Sequence, residues 1–381
     1  MTYQEFKAAV TTIADDMQIA DYELYYTEGD STSVEIYKDE VKGYSVEEEL
    51  GICFRCIIDG KAGYASTENL TRQEAQSLVQ RAYENAASIE SEEVSLAHCY
   101  GLALVADGEE RYDGFENKRG RLQEFDLKEI ARKSVEDATS GIGAGSVPSG
   151  KYAVVFSNKT MATLLATYAS VFSAEQAQKG MSLLAGKEGE RIAADFVTIV
   201  DDPRYEDNPV KRTFDGEGVA TYAKNVVEGG ILTTLLHNLK TAAKAGGKST
   251  GNASKPSYAS VVGISPFTFY ICPGEGEQHT DGDRMGDPEE LFASTGEGLY
   301  VTEISGLHAG ANPVTGDFSL SSRGFLIQEG KKGAPVKSFT VSGNFFTLLK
   351  EMEQLGADLD FVNGMYGSPS VLVREISVAG K

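Results

Sequence analysis

Four cysteines, four histidines and a few glycine-rich and acidic runs are the groups with the most obvious chemistry in this 381-residue chain. Cys53 and Cys56 have the C-x-x-C spacing of redox and zinc sites. They fall in the run GICFRCII, which reads as a strand, where residues three apart point to opposite faces. A redox pair usually sits at a helix N-terminus, which lowers a thiol pKa, and a structural zinc needs a second pair of ligands. Neither context is present, so these read as core or surface cysteines. The run Gly246-Gly247-Lys248-Ser249-Thr250-Gly251 is close to a phosphate loop, but the required first glycine is Ala242 and the preceding NLKTAAKA is helical rather than extended. Asp281, Asp283 and Asp287 lack calcium-loop spacing, and the twelfth position, which needs Glu, is Phe292. They read as a solvated acidic loop.

His98, His237, His279 and His308 are scattered, no HExxH or HExxxH pattern occurs, and no G-x-S-x-G elbow on a strand-to-helix turn is present. A hydrolytic zinc needs about three protein ligands and an open position for water. The spacing here supplies no such set. His308 stands apart from the other histidines because Gly306, Gly310 and Gly316 around it let a ligand approach the backbone; a satisfied turn histidine is the simpler reading.

Composition narrows the classes. Apolar residues make up 41% of the chain, enough for sizeable cores, and 41 glycines point to many turns rather than a helical bundle. A formal charge of −22 repels phosphate backbones and anionic lipid, arguing against direct nucleic-acid or membrane binding. The N-terminus has no apolar signal region and no window offers 18 apolar residues, so the expected location is the cytoplasm.

The elements that must position these groups read as α+β: an N-terminal antiparallel sheet with flanking helices, followed by a β-rich C-terminal domain with a few helices. Thr2 and Glu5 form a capping box before Phe6, Val10, Ile13 and Met17; Thr71 with Glu74 and Asp126 with Glu129 repeat it. Alternation at Tyr22–Tyr26, Val34–Ile36, Tyr44–Val46 and Ile52–Ile58 gives consecutive strands between the first two helices. Residues 1–140 form the first domain, with a helical connector over about 110–140. The stretch 141–150, rich in Gly, Ser and Pro, is the expected linker to a domain at 151–381. That domain should open with a strand at Tyr152–Phe156 and a helix from Asn158 or Thr160. Asp287, Pro288 and Glu290 start a short helix. A meander from Tyr300 to Val341 follows, then a helix capped by Asn344 that carries Phe345, Leu348, Leu349, Met352 and Leu355 to Gly356.

The run SGLHAGANPVTGDFSLSSRGFLIQEGKKGAPV, then SGNFFTLLKEMEQLGADL and GSPSVLV, resembles the C-terminal half of the TldD/PmbA proteins, as do VTIVDDP, FDGEGVAT and KSTGNA. GICFRCIIDGKAGYAST resembles that family's first domain. The likeness spans essentially the whole chain. It implies one of two kinds of member. TldD-type chains carry HExxxH on a helix and a C-terminal cysteine, which together imply a zinc peptidase with a glutamate general base. PmbA-type chains, also called TldE, lack these and pair with a TldD-type chain. Here Ala174, Glu175 and Lys179 stand where the first His, the Glu and the second His would be, and Met365–Gly367 where the cysteine would be.

The resemblance thus implies a PmbA-type chain with no metal, cofactor or catalytic residue of its own, active only alongside a TldD-type partner. The pair would cleave unfolded or small peptides, with roles in peptide maturation and the older label of modulator of DNA gyrase. The Gly-rich stretch 305–316, with His308, Asn312 and Asp317, is the expected place of peptide contact. Two alternatives stand beside it: a self-associating peptide-binding scaffold, and a self-sufficient peptidase with an unrecognised site.

Overall fold

The structure, a computed structural model, describes residues 1–37, 40–88, 96–121, 125–208, 210–256, 261–273 and 288–381. Two units pack separately, Met1–Val94 and Ser95–Lys381. The Gly-rich stretch 141–150 lies within the second.

In the first unit, α1 (Tyr3–Asp16) starts as its sequence dictates: Thr2 Oγ1 accepts from Glu5 N, and the Glu5 carboxylate accepts from Thr2 N at 2.9 Å. Strands β1 (Asp21–Tyr37), β2 (Glu40–Ile58) and β3 (Lys61–Thr67) form an antiparallel sheet in sequence order. Helix α2 (Arg72–Ser88) opens with Thr71 Oγ1 accepting from Glu74 N. Phe6 and Val10 of α1, Ile52, Phe54 and Cys56 of β2, and Leu78, Val79 and Ala82 of α2 close one core. Cys56 is buried in it while Cys53 points to the other face, as the strand period requires. Burial raises the pKa of both thiols.

The second unit begins with a hairpin, β4 (Leu96–Asp107) and β5 (Glu110–Arg121), covered by α3 (Leu127–Ser140). The connector expected as helical over about 110–140 is helical only in its second part. Gly114 of β5 explains the close cover, because a Cβ there would stand 2.1 Å from the Ser134 carbonyl on α3. The hairpin's other face leaves Tyr100, Leu102, Leu104 and Phe115 exposed.

A larger sheet follows, from β6 (Gly150–Phe156) through α4 (Asn158–Tyr168), a 3₁₀ turn at Ala169–Phe172 and α5 (Ala174–Gln178). Next come β7 (Ile199–Asp201), β8 (Lys224–Glu228), β9 (Ile231–Leu232), α6 (Leu239–Ala245), β10 (Ala253–Ser254), β11 (Gly263–Ile264) and β12 (Phe269–Ile271). After α7 (Glu289–Thr295) the meander appears as β13 (Gly298–Ser305), a single turn α8 (Leu307–Gly310), β14 (Asp317–Gln328) and β15 (Lys331–Asn344). The chain ends with α9 (Phe345–Lys350), β16 (Met352–Leu355), β17 (Asp360–Val362), β18 (Tyr366–Ser368) and β19 (Val371–Ala379).

Six strands pair in the order β15-β14-β13-β6-β19-β16, and β15 also pairs with β19, so five of them close on themselves. A second sheet runs β17-β18-β12-β7-β8-β9. One core, with Phe156, Leu165, Phe172, Val226, Phe269, Val301, Val341 and Phe345, joins both sheets to α4. The helix expected from Phe345 through Leu355 stops at Lys350. Met352 and Leu355 pair instead with Val373 and Val371, because β19 offers a ladder edge there. The helix start at Pro288 is present; Asp287 lies outside the described residues.

Helix α5, the 305–317 loop and a cavity beside Met365

Helix α5 carries Ala174 and Glu175, and Lys179 follows it; these are the residues that the resemblance puts at the metal-motif positions. Ser173 caps it, its Oγ accepting from Glu175 N at 3.2 Å, and the Ala174 N–H donates to Leu236 O. Ala174 is buried and presents only a methyl group. Glu175 pairs with Lys179 at 3.0 Å across one turn. A zinc ion needs imidazole, thiolate or carboxylate lone pairs converging from three sides. Here one position has no donor, one is an ammonium, and the single carboxylate already faces that ammonium. Among the described residues no three His, Cys, Asp or Glu side chains stand close enough to hold a metal ion. This donor set does not fit zinc.

His237 follows Leu236, the residue that bridges Ser173. Its Nδ1 is buried without a protein partner among the described residues, and burial lowers its pKa. Its carbonyl is wrapped by the stretch that is close to a phosphate loop: Thr250 N, Asn252 N and the hydroxyls of Ser249 and Thr250 all donate to it. That run follows α6, which Gly246 ends in a left-handed conformation. It is a helix-terminating turn folded around a carbonyl. The acidic positions 281, 283 and 287, and His279, lie outside the described residues.

The 305–317 loop brings Asn312 and Asp317 together and leaves His308 one short turn upstream. Asn312 Oδ1 accepts from Val314 N at 3.0 Å, its N–H donates to Asp317 O, and Gly316 N donates to Asn312 O. Asn344 Nδ2 donates to Asp317 Oδ1 at 2.9 Å; this amide first, and the Thr315 hydroxyl second, hold the carboxyl of Asp317 below the usual carboxylate range. Tyr168 OH donates to Asp317 O from α4. All three side chains are exposed, but Asn312 and Asp317 are also the pins of a rigid turn.

Two features have no local motif in the sequence that marks them as sites. Asp201, fully buried at the end of β7, takes Lys224 Nζ at 3.0 Å and Asn252 Nδ2 at 2.6 Å on one oxygen and Phe267 N at 2.7 Å on the other. The network ties β7, β8 and the segment before β12 into one piece. Beside it lies a cavity of about 100 Å³, lined by Arg119, Asn208, Val210, Arg212, Phe267, Gly364 and Met365. Met365 stands where the resemblance puts a ligand cysteine; its thioether is a weak acceptor. Apart from Met365, the lining residues read in sequence as unremarked loop or strand positions.

Comparison with known proteins places this geometry. Residues 149–380 match the model of the PmbA/TldA metallopeptidase C-terminal domain, and residues 22–86 match that of PmbA/TldA metallopeptidase domain 1. An uncharacterized protein of Methanocaldococcus jannaschii is 31% identical over 76% of this chain and 64% of its own length. The metalloprotease PmbA of Escherichia coli O157:H7 is 28% identical over 61% of this chain and 46% of its own. This chain therefore spans only about half to two-thirds of those curated relatives. The crystal structure of a candidate DNA-gyrase modulator from Thermotoga maritima superposes with a TM-score of 0.69 at 26% identity, over 99% of this chain and 100% of that one.

Proposed function

This chain belongs to the PmbA/TldD metallopeptidase family, and we propose that within it the chain is a non-catalytic, PmbA/TldE-type subunit of a cytoplasmic peptidase. A TldD-type partner would supply the zinc and the general base. This chain would shape the cleft along which an extended, unfolded or small peptide reaches them.

The observation that carries this reading is the Glu175–Lys179 pair at α5. At the positions where a TldD-type chain would place a general base and an imidazole, the carboxylate is held by an ammonium, and Ala174 offers nothing. Hydrolysis by water activation needs a base free to take a proton. The exposed apolar face of the β4–β5 hairpin supports the need for a protein partner, since clustered Tyr100, Leu102, Leu104 and Phe115 favour burial.

The test is to mix the purified chain with the HExxxH paralogue from the same source. A complex on size exclusion, with peptide hydrolysis that requires both chains and stops with chelator, is the expected result. No complex, and hydrolysis by the paralogue unchanged by this chain, overturns it. The same apolar face also suits a self-associating peptide-binding scaffold. That reading predicts chelator-insensitive peptide affinity without any partner.

A further inference from the structure

We propose that the cavity between Arg119 and Arg212 is a carboxylate subsite that takes the free C-terminal carboxylate of a peptide ending in an apolar residue. The proposal rests on the peptide-cleft reading above and deepens it.

Charge is the first reason. The chain is strongly acidic, and five of its arginines meet a carboxylate: Arg55 with Glu23, Arg81 with Glu74, Arg132 with Glu129 and Glu136, Arg323 with Glu303 and Asp137, and Arg374 with Glu353. Arg111, Arg191 and Arg204 spend donors on backbone carbonyls instead, and none of these eight lines this cavity. Arg119 and Arg212 line one cavity, and among the described residues neither has a carboxylate within ion-pair distance. Among the described residues, Arg119 Nη1 donates to the Asn363 carbonyl at 3.3 Å. A guanidinium has five donors in a planar fork that matches a carboxylate in two-point fashion. Most of both forks therefore remains available to an anion.

Size and lining are the second reason. The cavity of about 100 Å³ is enough for a carboxylate and the carbon that bears it. Val210, Phe267 and Met365 form the rest of the wall. A terminal apolar side chain would rest on them, whereas a bare inorganic anion would leave them wet.

Rigidity is the third. Asn208 uses its amide to fix the rim, Nδ2 donating to Thr268 Oγ1 at 2.9 Å and to Gly364 O at 3.0 Å while Oδ1 accepts from Val210 N at 2.9 Å. Phe267 is held through its N–H by buried Asp201. The pocket floor is thus pinned at both ends. Strand β17, a terminal strand of its sheet, leads through Asn363 directly into Gly364 and Met365. An extended peptide added to that edge would run toward the two arginines.

The experiment is anisotropy with a labelled octapeptide ending in leucine, as free acid and as C-terminal amide, on the chain alone and on its complex with the TldD-type partner. The acid should bind at least 10-fold more tightly than the amide. R119A and R212A should remove that preference without weakening the amide, and R119K should keep only part of it, having charge without the fork. Equal binding of acid and amide overturns the subsite, while complex formation, scored in the same samples, still reports on the subunit reading. Displacement of the acid by inorganic phosphate at equal affinity also overturns it, marking a plain anion site. A loss common to both peptides in R119A, with R119K behaving as unaltered protein toward both, assigns Arg119 to folding and counts against the proposal.

Discussion

Lys224 is the residue whose removal tests the physical account of this fold most directly. Its side chain is 5% exposed and that of Asp201 is 0% exposed, with 3.0 Å between Nζ and Oδ2. At an effective dielectric constant near 20, two unit charges at that distance attract by about 5–6 kcal/mol. Desolvating the two charges costs several kcal/mol each, so the intact pair contributes little net stability. Lys224→Met changes the balance sharply. The methionine still lies over the Tyr222 ring, which Lys224 now covers at 4.7 Å, but Asp201 keeps its desolvation cost and loses its cation. The usual range for that loss is about 3–5 kcal/mol. The amides of Asn252 and Phe267 remain on the carboxylate at 2.6 and 2.7 Å, which places the expectation near the lower end, about 3 kcal/mol. Urea unfolding at neutral pH, fitted for midpoint and slope, measures it. The double variant Asp201→Asn with Lys224→Met should be more stable than Lys224→Met alone, since a neutral amide needs no cation and can still accept from Phe267 N. A single-variant cost below about 1 kcal/mol, or strictly additive costs in the cycle, would show that the pair is not the keystone of this network.

Three further outcomes follow from individual side chains. Asp358 is 4% exposed, and burial raises its pKa against the opposing hydrogen bonds from Ser370 N and Oγ. A raised carboxyl pKa means that the folded chain holds the proton more tightly, so stability present below the unfolded value near 3.9 is lost as pH climbs through the folded one. Asp358→Asn should therefore compare better with the unaltered chain at pH 7 than at pH 4 in urea titrations; a pH-independent gap refutes this. Gly316→Ala should cost about 1–3 kcal/mol, because φ is +83° and a Cβ would meet the Phe346 ring at 2.6 Å. Gly306→Ala, at φ +82° with open space, should cost less; equal melting shifts would remove the ring contact from the explanation. Cys53 and Cys56 should form no mutual disulfide under diamide, because three strand residues span about 10 Å and a bridge tolerates only about 7 Å between Cα atoms. Peptide mass mapping reads that directly.

Local signals were legible because they act over a few residues. The caps at Thr2, Thr71, Asp126 and Asn344 each close hydrogen bonds to backbone amides two or three positions away. The hairpin at Glu329–Gly330 turns where glycine allows it. Spacing alone misled where two periods coincide: Met352 and Leu355 continue the helical stripe of α9 but also meet Val373 and Val371, and the ladder prevailed. The β4–β5 hairpin was illegible for a different reason. Its larger apolar residues, Leu102 and Leu104, face outward while Gly101 and Gly114 face the helix, so alternation pointed away from the core.

The candidate site divides along the same line. His308, Asn312 and Asp317 lie in one stretch of sequence, and the structure keeps them on one loop. The Asp201 network and the two arginines come from distant stretches, and only the folded second sheet gathers them. Asp201 and Lys224 are 23 residues apart, and Asp201 and Asn252 are 51 apart. Such a polar cluster has no period and no motif. Its reason for being buried shows only when three donors are seen to meet both oxygens of the desolvated carboxylate. The loops that the network secures also carry Phe267 to the rim of the arginine cavity. A chain that had lost catalysis, and nothing more, would be free to lose that scaffold. Here it keeps three donors on its buried carboxylate, which supports the role proposed above, holding a peptide in place.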